Sequence, residues 1–185
     1  MFKTLIGVIV VAVGVIVTFM FIDPNIAIKS TDNSTVNVTD ITSVEEGYIG
    51  VTIEGEVAKP GNYVLEEGAM IGDLIEMAGG ETENADELAY IETATLKGGV
   101  TYYIASKYDT SDVCKLTDIT KVNINTASAE EMQEISVFSK SISSSIVSYR
   151  TENGKYNTIE DILEVYGIGN ATYRKLRNYI TLRDI

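Results

Sequence analysis

Between Lys3 and Asp23 the chain runs for eighteen residues, Leu5 to Ile22, with no charge and with Thr18 as its one polar side chain. As a helix this run is about 27 Å long, close to the hydrocarbon thickness of a bilayer. A helix packed on a soluble core carries a polar stripe, and this one carries none. Residues 1–22 therefore read as a transmembrane anchor. Lys3 and the terminal amine precede the run and Asp23 follows it. The positive-inside bias then places the N-terminus in the cytoplasm and everything after Asp23 outside, as a single-pass protein of the cell membrane with extracytoplasmic domains. The alternative is a cleaved signal peptide. Against it stand the length of the run and the continuation Asp23-Pro24-Asn25-Ile26-Ala27-Ile28, which offers no small-residue cleavage site. Export also bears on Cys114, the single cysteine. It is either a small semi-buried residue or one half of an intermolecular disulfide.

Composition excludes several kinds of chemistry. The chain has no His, so neither a Ser-His-Asp nor a Cys-His unit exists, and one Cys makes no thiolate metal cage. No catalytic residue, metal site or cofactor is expected. The acid pairs Glu54/Glu56 and Glu66/Glu67 read as solvated faces rather than as a general acid and base. The net charge of −13 is unevenly placed. Residues 1–120 hold six basic against nineteen acidic side chains, and residues 121–185 hold eight of each. Within the neutral part, Arg174, Lys175, Arg177 and Arg183 crowd the last dozen residues, a local basic patch despite the acidic average.

Residues 23–46 are rich in Ser, Thr, Asn and Asp and read as a tether, with a short strand possible over 35–41. From Tyr48 the period becomes two, with Ile49, Val51, Ile53 and Val57 alternating with Gly50, Thr52 and Glu54. Lys59-Pro60-Gly61-Asn62 supplies a turn and Tyr63-Val64-Leu65 a returning strand. Met70, Leu74, Ile75 and Ala78 follow helical spacing, and Gly79-Gly80 stops that helix. Ile91, Ala94, Leu96 and Thr101–Ile104 predict short strands, and residues 107–121 a linker. The segments Gly55-Glu56-Val57-Ala58-Lys59-Pro60-Gly61-Asn62-Tyr63, Ile71–Ile75 and Ala78-Gly79-Gly80-Glu81-Thr82 resemble the pattern of SLBB domains. That resemblance covers residues 47–106 and implies a small β-grasp module able to fold alone.

Four short helices are predicted beyond Lys121. Ser128 and Glu131 form a capping box before a helix carrying Met132 and Ile135. A second helix carries Ile142, Ile146 and Tyr149 and ends at Gly154. Thr158 and Asp161 open a third, Gly167-Ile168-Gly169 breaks it, and Asn170 is placed to cap a fourth carrying Tyr173, Leu176 and Ile180. The stretch 122–185 resembles the tandem helix-hairpin-helix domain of ComEA-type competence proteins, which are membrane-anchored receptors for double-stranded DNA. Val122–Ser128, Glu130-Glu131, Tyr149-Arg150, Glu152–Gly154, Ile159–Leu163 and Val165–Gly169 carry the match. With the anchor and the SLBB module, the order of parts also agrees. The fold class implied is α+β multidomain: a transmembrane helix, a β-grasp domain and an all-α tandem helix-hairpin-helix domain.

The resemblance implies non-specific binding of double-stranded DNA for uptake during transformation. Homo-oligomerisation through the SLBB domain and transfer to a DNA-uptake channel protein belong to the same expectation. The second hairpin fits the chemistry, because helix-opening N–H groups beside a glycine turn meet phosphate and ignore base identity. The DNA-binding residues expected are Gly167, Ile168, Gly169, Asn170, Arg174, Lys175 and Arg177, with Lys140 from the first hairpin. That first hairpin departs from the family's Pro-Gly-Ile-Gly, reading Ser136-Val137-Phe138-Ser139, so its phosphate grip is expected to be weakened or lost. The Ser run over 141–145 reads as a solvent face. The rival function is a surface scaffold or ligand-binding protein whose DNA binding has degenerated.

Overall fold

The computed structural model describes residues 46–109 and 116–184. The expected anchor, the tether with its strand at 35–41, and Cys114 lie outside the described residues. No helix among the described residues is long and apolar enough to cross a membrane.

Alternation over Tyr48–Gly55 builds strand β1, and β2 (Gly61–Glu66) returns antiparallel, with Tyr48 opposite Glu66 and Ile53 opposite Gly61. Helix α1 (Ile71–Met77) buries Ile71, Leu74 and Ile75. Strand β3 (Thr101–Ile104) then lies parallel to β1, giving the order β2-β1-β3. A hairpin, a crossing helix and a parallel strand make the expected β-grasp core, in which Val51, Ile53, Leu65, Leu74 and Tyr102 pack together. Ile91–Leu96 does not form strands. Ile71 N–H donates to Ala94 O and Leu96 N–H to Ala69 O, so the segment straps the head of α1 with a single bridge, Met70 to Thr95. The expected linker is partly ordered into sheet. Strand β4 (Tyr108–Asp109) pairs with β5 (Thr117–Asp118). Lys121 Nζ lies 2.5 Å from Asp86 Oδ2, both side chains almost inaccessible, and burial pushes the Lys121 ammonium down.

Beyond Lys121 the chain forms β6 (Val122–Asn123), α2 (Ala129–Gln133), α3 (Lys140–Asn153), a 3₁₀ helix (Ile159–Glu164), α4 (Asn170–Leu176) and β7 (Ile180–Thr181). The Ser128/Glu131 capping box opens α2 as predicted. The third helix is 3₁₀ rather than α: only six residues, Ile159–Glu164, lie between its cap Thr158 and Val165, which turns extended. The β6–β7 pair, parallel with Val122 opposite Ile180, joins the two ends of the domain. Several residues of the family pattern act as fasteners. Asn125 Nδ2 donates to Tyr156 O and Leu182 O, its Oδ1 accepts from Tyr156 N–H, and Arg150 donates to Ile124 O and Thr126 O. The Ser run is not a uniform solvent face. Ser143 is fully buried and its hydroxyl donates to Ser139 O, leaving Ser141 and Ser144 exposed.

The β-grasp part also contributes side chains to the helical core. Side chains alternate along a strand, so β3 sends Tyr102 into the β-grasp core and Tyr103 into the helical one. Ala89 and Ala105 join Tyr103 against that helical cluster. Leu182 N–H donates to Leu88 O across the same seam, and Lys97 Nζ lies 3.1 Å from Asp161 Oδ1.

Candidate nucleic-acid interface

Both hairpins turn on the same four-residue frame. In the first, Phe138 N–H donates to Ile135 O at 2.9 Å; in the second, Ile168 N–H donates to Val165 O at 3.0 Å. Phe138 and Ile168 plug the core equivalently. The backbones differ at the third position. Gly167 has φ +90°, whereas Val137 has no positive φ, so the first hairpin has switched to a turn open to a β-branched residue. Nothing lies within 4 Å of where a Gly167 side chain would start, which leaves its backbone uncovered.

The helix starts differ as well. Ser139 caps α3, its hydroxyl accepting from Ile142 N–H at 3.3 Å. The cap of α4 is Gly169, not Asn170, since Gly169 is extended at φ −100° and Asn170 is already helical. Gly169 has no side chain to offer, and the first intrahelical bond is Tyr173 N–H to Gly169 O. The N–H groups of Asn170, Ala171 and Thr172 are therefore open at the positive end of the helix. Arg174 and Lys175, one turn on, are exposed, as is Lys140 at the start of α3.

Two of the expected residues do not present their side chains freely. The Ile168 side chain is buried, so this residue reaches the surface only through its backbone. Arg177 is turned to the β-grasp side: its guanidinium lies 3.6 Å over the Tyr103 ring, and Nη1 sits 3.2 Å from Glu54 Oε2. Two features of the tip were not legible in the sequence. Tyr166, beside Gly167, is 93% exposed. Beneath α4, buried Glu160 accepts from Tyr103 N–H and Tyr173 O–H, each at 2.8 Å. Burial pushes the Glu160 carboxyl up to about 7, and burial together with Glu160 pushes the Tyr173 phenol up. In sequence, Glu160 is one more acid in a helix's first turn, and nothing in Thr-Ile-Glu-Asp marks it as buried.

The helix-hairpin-helix motif family matches residues 117–181, and the SLBB domain family matches residues 51–105. ComE operon protein 1 of Bacillus subtilis (strain 168) is 36% identical over 162 residues, covering 83% of this chain and 79% of that protein. An uncharacterized protein of Haemophilus influenzae is 43% identical over 61 residues, 32% of this chain and 54% of its own length. Endonuclease/exonuclease/phosphatase family domain-containing protein 1 of the mouse is 33% identical over 60 residues, only 10% of its length, too small a share to carry its activity across. The SLBB and helix-hairpin-helix matches, with a relative aligned over most of both chains, show that this chain belongs to the ComEA-type family.

Proposed function

We propose that the chain is a membrane-anchored receptor that binds double-stranded DNA through its phosphates, without sequence preference, for uptake in transformation. One observation carries this reading: the uncapped start of α4, framed by Gly167 and Gly169, with Arg174 and Lys175 exposed one turn in. Open N–H groups and a helix dipole favour an anion, and two cations lengthen the contact along the backbone. The role in competence is supported by the relative named for the ComE operon. A single grip of this kind binds at roughly 10⁻⁴ to 10⁻⁶ M, so several copies joined through their SLBB domains on one membrane supply avidity without new contacts. Such an array would pass DNA to an uptake channel.

The test is fluorescence anisotropy of the full chain in mild detergent with labelled duplexes of unrelated sequence across a salt series. Affinity should be the same for all sequences and fall steeply with salt. Arg174→Glu with Lys175→Glu should abolish it. Absence of binding at low salt would favour the scaffold reading, which is supported by the self-capped first hairpin.

A further inference from the structure

Between the β-grasp edge and α4 lies an open cleft of about 750 Å³, lined by Glu54, Thr101, Asn170, Arg174 and Arg177. It begins at the uncapped helix start and runs along the helix toward β1. Its floor is built by strand register. Glu54 on β1 is the parallel partner of Tyr103 on β3, so a carboxylate and an aromatic ring stand side by side under Arg177. The ring is held at its phenol end, since Tyr103 O–H donates to Asn178 Oδ1 at 2.9 Å, and its backbone is held by Tyr103 N–H donating to Glu160. The carboxylate is held less firmly. Glu54 is 50% exposed at its side chain and meets Arg177 through one nitrogen, where a forked two-bond pairing is available to these groups. Arg177, 23% exposed, is thus stacked on a rigid platform with most of its donors uncommitted to Glu54.

We propose that this cleft receives the DNA backbone and that a phosphate entering it takes Arg177 from Glu54. The SLBB domain then sets DNA affinity directly. Tyr103 presents the guanidinium, and Glu54 is the anion that DNA must displace. The proposal rests on the DNA-binding reading of α4 and extends its contact from Arg174 to Arg177. It also explains why a basic residue of the DNA-reading helix is paired with an acid from another domain.

The experiment uses the full chain in detergent and a labelled duplex across a sodium chloride series. Glu54→Gln should bind about two- to fivefold more tightly, as an exposed pair is worth little more than that. Glu76→Gln, an equal charge change at an exposed site on α1, should shift affinity much less. Arg177→Ala should weaken binding, reduce the log–log salt slope by about 0.9 and erase the gain of Glu54→Gln when the two are combined. Arg177→Met keeps the stem over Tyr103 and replaces Arg177→Ala if that variant does not melt cooperatively. The proposal is overturned if Glu54→Gln matches Glu76→Gln, or if its gain survives without Arg177. Either result, with Arg174→Glu plus Lys175→Glu still abolishing binding, removes the cleft and leaves the hairpin reading intact. A wild-type chain that binds no DNA removes both.

Discussion

Gly169→Ser separates stability from DNA binding at one atom. Gly169 is extended at φ −100° and ψ 178°, a backbone any residue adopts, and a side chain there meets nothing within 4 Å. Ser139 occupies the equivalent place in the first hairpin at φ −78° and ψ 156° and caps its helix. A serine at 169 therefore places its hydroxyl to accept from Thr172 N–H. Exchanging Gly for Ser at an N-cap stabilises by a few tenths of a kcal/mol, about 1 °C in melting temperature for a fold of this size. The same bond occupies a donor that the proposed phosphate needs. A hydrogen bond to a charged group contributes about 1.5–3 kcal/mol, so affinity should fall about tenfold or more. The salt slope should stay unchanged, because no cation is removed. Thermal melts and duplex anisotropy on the same preparation give both numbers. Unchanged affinity with an equal or raised melting temperature would refute the idea that the start of α4 holds phosphate.

Gly167→Val should act in the opposite way, since φ +90° costs a side chain about 1–2 kcal/mol, read as a melting temperature several degrees lower. Val137→Gly with Ser139→Gly should tighten duplex binding by freeing Ile142 N–H and relaxing the first turn, at a small loss of stability; anisotropy beside a thermal melt checks both signs. Glu160 is raised in the folded chain to about 7 from the ordinary 4.5, so it contributes stability that is full below about pH 4.5 and lost as pH rises through about 7. Melting temperature should fall over that window, and Glu160→Gln should flatten the fall; superimposable pH profiles for the two proteins would count against a protonated Glu160.

What the sequence carried well was local. Capping boxes at Ser128 and Thr158, the stop at Gly154 and the alternation from Tyr48 are short-range signals, and each marks a boundary the chain obeys. The two glycines of the second hairpin look alike in sequence, yet only Gly167 takes a positive φ, while Gly169 matters for the side chain it lacks. Long-range pairings stayed hidden. Nothing near Arg177 signals that Glu54, 123 positions earlier, will meet it, because that contact depends on how β3 alternates its tyrosines between two cores. The strap at Ile91–Leu96 is hidden for the same reason: its backbone bonds to the head of α1, Ile71 N–H to Ala94 O and Leu96 N–H to Ala69 O, not to a neighbouring strand.

The buried Glu160 has a mechanical consequence. It sits on the 3₁₀ helix that leads into the second hairpin and is bonded both to α4, through Tyr173, and to β3, through Tyr103. Asp161, next in sequence, is joined to Lys97 of the β-grasp part. If α4 holds DNA as proposed, tension on that DNA would pass sideways into the β-grasp part through these two neighbouring acids. The unit that would resist such a pull is the pair of domains together rather than the hairpin alone.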